Sequence, residues 1–154
     1  MKKYILDMKV TENCHLHKNY CLLKLTSDDT LPEMLPGQFV QVLVDNSPTT
    51  FLRRPISINF VDRTTNELWL LIQLIGDGTR RMGEYRPGDI VNIMLPLGNS
   101  FTIPADEDKN QKLLLIGGGV GTAPMLCLGS VLKNAGFEPV FLLGARSKDD
   151  VLQL

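Results

Sequence analysis

The pattern of hydrophobic positions changes character once along the chain. Up to about residue 104, apolar residues come in short runs at 3–16, 20–26, 38–44, 51–61, 67–75 and 89–95, and the run at 38–44 alternates polar and apolar at its start. Each run is bounded by Gly, Pro, Asn or Asp, the residues that supply turn geometry. Six short strands punctuated in this way predict a small antiparallel barrel.

Beyond residue 104 the pattern is different. Residues 105–111 are polar and charged and read as a linker. The run 112–116 is apolar throughout, as in a strand of a buried parallel sheet. A glycine cluster follows, then a helical stretch over 123–135. In it Met125, Leu128, Val131, Leu132 and Ala135 share a face at three- and four-residue spacing. Pro124 suits the first helical turn and Gly136 the position just past the end. The run 140–143 is a second apolar strand, and 147–154 reads as the start of another helix. Strand, glycine loop, helix and strand make one βαβ unit. The expected units are therefore 1–104 and 112–154, joined by 105–111. A doubly wound sheet normally has about five or six strands. A sheet of two leaves apolar surface open, so the chain reads as the front part of a longer protein.

Composition narrows the possible functions. The 154 residues suit one domain, or a small domain with part of another. Apolar residues make up 44% and charged ones 21%, a globular balance that excludes disorder and collagen-like structure. Net charge is −1 and no concentrated basic block occurs, so neither a nucleic acid nor an anionic membrane is expected as partner. No run approaches the length of a bilayer span. Asp7 and Lys9 interrupt any signal-peptide core near the start, so the expected location is cytoplasmic. Cys14, Cys21 and Cys127 are odd in number and widely spaced, which fits buried free thiols better than a disulfide framework or a metal knuckle. His15 and His17 lack a third ligand nearby and read as surface residues. Trp69 and the six methionines read as core. No Ser–His–Asp or paired-carboxylate constellation stands out, so no catalytic acid or base is assigned.

Three motifs carry chemistry. Gly117-Gly-Gly-Val-Gly-Thr-Ala-Pro124 lies between a strand and a helix, where glycines let the backbone approach a ligand and the helix start favours an anion. It departs from the usual dinucleotide fingerprint: read from Gly117 the pattern ends on Thr122, and from Gly119 on Pro124. No acid closes the second strand; Gly144-Ala-Arg146 stands there, with Arg146 read as an exposed strand-end residue. Leu52-Arg-Arg-Pro-Ile-Ser-Ile58 puts two arginines in a strand beside a proline, which marks a sheet edge or opening. An arginine there forks onto phosphate or is simply solvated. Leu71-Ile-Gln-Leu-Ile-Gly-Asp-Gly-Thr79 runs a strand into a glycine turn that either presents amides and a hydroxyl to a diphosphate or closes a plain hairpin.

In this order the three motifs resemble the ferredoxin–NADP reductase superfamily, and within it the electron-transfer subunits of dihydroorotate dehydrogenases, over essentially the whole chain. The resemblance implies a six-stranded antiparallel Greek-key FAD-binding barrel followed by the first βαβ unit of a nucleotide-binding domain. It implies that Arg54, Pro55, Ile56 and Ser57 flank the flavin and its phosphates, with Ile56 where many members carry a stacking tyrosine. Leu71, Ile72 and Gln73 then lie along the cofactor, and Gly78 and Thr79 cap the diphosphate. Gly118, Gly119, Gly121 and Thr122 form the pyridine-nucleotide loop for NAD(H). The family also carries a [2Fe–2S] cluster on four closely spaced cysteines, a motif missing from this sequence. Its implied role is electron relay to a catalytic dihydroorotate dehydrogenase subunit in a heterotetramer, in pyrimidine biosynthesis. Reductase subunits of sulfide dehydrogenase, anaerobic sulfite reductase or hydrogenase, and a flavin-free module, remain open on the same pattern.

Overall fold

The computed structural model describes residues 2–105 and 111–152. Seven strands form one antiparallel sheet: β1 (Tyr4–His17), β2 (Tyr20–Thr26), β3 (Phe39–Val42), β4 (Arg54–Ser57), β5 (Phe60–Asp62), β6 (Glu67–Gln73) and β7 (Ile90–Leu97). Their order across the sheet is β4-β3-β7-β1-β2-β6-β5. Alternation sets the inner face. Cys21, Leu23 and Leu25 of β2, Leu68, Leu70 and Ile72 of β6, and Val91, Ile93 and Leu95 of β7 are buried in one core with Met8, Val10, Val40 and Val42. Burying these side chains is the main stabilising term, at roughly 1.5–3 kcal/mol for each large one.

The sheet is strongly curled. Ile58 N–H donates to Gln38 O and Asn59 N–H to Trp69 O, each at 3.0 Å. Two successive residues thus bond to opposite ends of the strand order, which brings the ends together. This also corrects the strand count. The 51–61 run does not form one strand; it divides into β4 and β5 at Ile58–Asn59, where the chain crosses from one edge of the sheet to the other. Seven strands result in place of six. Pro55 sits in β4, an edge strand, as its missing N–H requires.

A short helix, α1 (Asp77–Gly83), follows β6 where the sequence pointed to a glycine turn. Thr79 closes its first turn by reaching back: its Oγ1 accepts from Ile75 N–H at 3.1 Å and Gly76 N–H at 3.0 Å, and donates to Gly76 O at 3.0 Å. Asp77 in the first turn and Arg80 and Arg81 in the last suit the helix dipole.

The second sheet has two parallel strands, β8 (Leu114–Gly118) and β9 (Val140–Gly144), in register from Leu114↔Val140 to Gly118↔Gly144. A 3-10 turn over Gly119–Thr122 precedes α2 (Met125–Asn134), so the helix starts later than expected, with Pro124 at its N-cap. Gly136 takes φ of 88° just past its end, the conformation that favours glycine there. The expected helical face is the packed one: Met125, Leu128 and Leu132 are buried with Leu115 and Phe137. α2 passes so close to β9 that a Cβ on Gly129 would lie 2.3 Å from the Phe141 ring. The other side of this sheet is open, with Leu114 58%, Ile116 65% and Leu142 57% exposed. Instead of a second helix, Lys148–Asp150 makes a single 3-10 turn. Most of the expected linker, 105–111, lies outside the described residues. No helix among the described residues is long and apolar enough to cross a membrane.

Two sequence readings of core residues change. Trp69 is only half-buried on the outer face, tilted against Phe60 at 5.3 Å with Lys24 Nζ 4.4 Å from its ring centroid. Cys14 is exposed, whereas Cys21 and Cys127 are buried.

Candidate functional site

The two sheets meet around Asn59. Asn59, fully buried, donates from Nδ2 to Ala123 O at 2.6 Å and accepts at its own carbonyl from Cys127 N–H at 3.0 Å. Tyr20, Leu71, Ala123 and Leu152 form a small apolar cluster beside it. Leu71 explains why β6 is apolar on both faces. Leu68, Leu70 and Ile72 fill the curled sheet, and Leu71 packs against the glycine loop's lobe.

Beside this junction lies a cleft of about 860 Å³. Ten of the thirteen sequence-predicted residues line it: Arg54, Pro55, Ile56 and Ser57 from β4; Leu71, Ile72 and Gln73 from β6; Gly78 and Thr79 from α1; and Gly121 from the glycine loop. Four separated stretches of sequence therefore converge on one concavity. The remaining three stand elsewhere. Gly118 and Gly119 line a second cleft of about 840 Å³ with Tyr20, Gln73 and Arg146. Thr122 is buried, its hydroxyl donating to Gly119 O at 2.9 Å, so it shapes the loop from within.

The local contacts sort the candidate groups. Of the arginine pair, Arg53 is used structurally: its guanidinium donates to Asn92 O at 3.1 Å and to Asn92 Oδ1 at 2.5 Å. Arg54 is exposed and lines the cleft. Gly78 is required by close approach, since a Cβ there would meet Thr50 Cγ2 at 2.9 Å and Arg54 Cγ at 3.2 Å. Thr79 Oγ1 accepts from the Gly76 amide at 3.0 Å within the turn that opens α1. Gln73 donates to the Tyr20 hydroxyl at 2.9 Å, tying the two clefts' shared wall. Asp77 is the cleft's one carboxylate, held by Thr49 Oγ1 at 2.6 Å and by Arg80 at 3.6 Å.

Sequence reasoning missed Thr49, Thr50 and Phe51, which also line the cleft, whereas Leu52, Ala123 and Pro124 line it from within the quoted motifs without having been assigned to the site. The signal was present in Phe51-Leu52, two large apolar residues between a polar turn and an arginine pair. The three cysteines do not suit an iron–sulfur cluster, which takes four thiolates. Burial pushes the Cys21 thiol up to about 12 and raises that of Cys127.

No protein-family profile matches the chain. A curated relative from Fusobacterium nucleatum subsp. nucleatum is 33% identical over 147 residues, covering 96% of this chain and 56% of its own length. Another, from Desulforamulus reducens, is 36% identical over 148 residues, covering 96% of this chain and 55% of its own length. Both are named dihydroorotate dehydrogenase B (NAD(+)), electron transfer subunit. The chain thus spans little more than half of the relatives it matches. Among solved structures, an NADH-dependent reduced ferredoxin-NADP oxidoreductase matches with a TM-score of 0.81 at 24% identity, over 96% of this chain and 51% of that one. By sequence the chain is a homologue of dihydroorotate dehydrogenase B electron transfer subunits, built on a ferredoxin–NADP reductase-like fold.

Proposed function

We propose that this chain is the flavin-binding part of an electron-transfer oxidoreductase subunit that relays electrons between NAD(H), FAD and a catalytic dihydroorotate dehydrogenase subunit in pyrimidine biosynthesis. The observation that carries this reading is the convergence of Arg54–Ser57, Leu71–Gln73, Gly78 and Gly121 on one cleft between the curled sheet and the glycine loop. The cleft suits FAD. The exposed Arg54 guanidinium offsets phosphate charge at an edge strand whose proline leaves the backbone open. Gly78 keeps the floor beside it free of a side chain. Pro55, Ile56, Leu71 and Ile72 give an apolar lining that excludes water from a ring system. Bound flavin would supply the redox chemistry, accepting a hydride and passing electrons on singly; the protein holds and orients it.

Gly118 and Gly119, with Arg146 in the second cleft, are the groups for a pyridine nucleotide, and Thr122 sets the loop that presents them. The Greek-key barrel of 1–104, the lobe beginning at 112 and the cytoplasmic heterotetramer with a catalytic subunit belong to the same reading. A [2Fe–2S] centre does not fit the cysteines of this chain and is no part of its proposed role.

The test is a visible spectrum of the purified protein, with the released chromophore identified by mass spectrometry. Flavin bands with the mass of FAD are expected, and Arg54→Ala should weaken FAD uptake by about tenfold, as loss of one charge-assisted phosphate contact implies. A colourless protein that takes up no added flavin refutes the reading.

A further inference from the structure

Phe51 is the most exposed large apolar side chain among the described residues, at 87%, and Leu52 beside it is 74% exposed. Scattered apolar residues on a surface need no explanation, but these two line the main cleft, and their loop is fixed. Thr50 N–H donates to Ser47 O at 3.0 Å, Ser47 Oγ to Thr50 Oγ1 at 2.7 Å, and Thr49 Oγ1 to Asp77 Oδ2 at 2.6 Å. An aromatic ring held over a cleft yet in contact with solvent gains by covering a flat apolar ligand.

The cleft has a direction along β4. At the Ser57 end stands the glycine-loop lobe, tied on by Asn59 to Ala123 O at 2.6 Å. At the Arg54 end stands Gly78, whose absent Cβ is what lets Arg54 and Thr50 close in. Three residue steps of extended chain separate the two ends, about 10 Å. Thr49 to Leu52 lie beyond the Arg54 end, next along the chain and bonded to Asp77. A flavin dinucleotide is built in the same sequence: ring system, diphosphate, second ring. With the isoalloxazine beside Ile56 and Ser57 and the phosphates at Arg54 and Gly78, the second ring falls on the 49–52 wall.

We propose that Phe51, flanked by Leu52, takes the adenine ring of FAD and is the residue by which this chain prefers FAD to the mononucleotide FMN. The inference rests on the flavin reading above. Base–aromatic stacking tolerates any purine face, so one ring on a fixed loop is enough.

The experiment is a titration of the 154-residue chain, as wild type, Phe51→Ala and Phe51→Tyr, with FAD and with FMN. Phe51→Ala should raise the Kd for FAD about tenfold and leave that for FMN unchanged, while Phe51→Tyr keeps tight FAD binding. The side chain is exposed, so the variant opens no core cavity, and an unaltered thermal melt checks that the fold is intact. If Phe51→Ala changes neither Kd, or weakens FAD and FMN alike, the adenine role is overturned while the flavin reading stands; a docking surface for another protein would give the first of these results. If wild type takes up neither flavin, the flavin reading fails and this inference fails with it.

Discussion

The three cysteines differ by burial, and burial decides their chemistry. Desolvation pushes Cys21 up to about 12, with Cys14 nearby adding to it, and it raises Cys127 against the opposing charge of Arg63. Thiolate is the reactive form, so iodoacetamide on the native protein should modify Cys14 alone, and all three cysteines once urea unfolds it. Mass spectrometry of the native adduct checks this, and labelling at Cys127 would contradict it. Glu67 is the opposite case. Burial pushes its carboxyl up, but hydrogen bonds from Thr11, Trp69 and Thr65 and the charge of Lys24 outweigh that and hold it below its ordinary 4.5. A folded value below the unfolded one gives stability that is complete above the unfolded value and lost as pH falls through the folded one. Glu67→Gln should therefore be less stable than wild type at pH 7, with the gap closing as pH falls through the folded value of the carboxyl. Urea melts at pH 7, 5 and 3 read this directly.

Among the elements, α1 shows how a local rule was hidden. Asp77-Gly78 is good hairpin chemistry, and the sequence alone gave no reason to prefer a helix. What decides it is Thr79 reaching back to the amides of Ile75 and Gly76. Thr79→Val should cost about 1 kcal/mol in a thermal or urea melt and Thr79→Ser much less; a loss in Thr79→Ser with none in Thr79→Val would mean that the methyl, not the hydroxyl, matters. Elsewhere the elements were legible where one face is buried. β2 and β7 alternate into a common core over most of their length, and α2 buries the face its spacing marks, because a single period repeated over seven or more residues admits one reading. The 51–61 run was not legible. Its division at Ile58–Asn59 depends on partners at Gln38 and Trp69, and no local feature announces partners that far away. The candidate site followed the same rule. Arg54, Ser57 and Gly78 were found through motifs, whereas Thr49 to Phe51 lie outside them and enter through the folding of their loop onto α1.

Across the whole molecule, Asn59 is one of the places where the curled sheet holds the glycine-loop lobe, beside the cluster of Tyr20, Leu71, Ala123 and Leu152 and the His17–Asp150 pair at 3.5 Å. Asn59→Ala leaves the buried Ala123 carbonyl without this donor, a loss of about 1–3 kcal/mol. Hydrogen exchange should then speed up across 125–134 while the amides of β1, β2 and β7 keep their protection. Uniform deprotection would mean that the two parts unfold as one. The crossing at Ile58–Asn59 has one more consequence, for association with other chains. An unpaired sheet edge is a template onto which a foreign strand can add. Here the two ends of the seven-strand order are drawn together at one point, and Pro55 has no N–H to offer, so the large sheet gives an incoming strand little purchase. The exposure lies with the small sheet, whose two parallel strands keep open edges and an uncovered apolar face at Leu114, Ile116 and Leu142. Strand-mediated aggregation of this chain should begin there, so that a lysine at position 116 would slow it and a lysine in β4 would not.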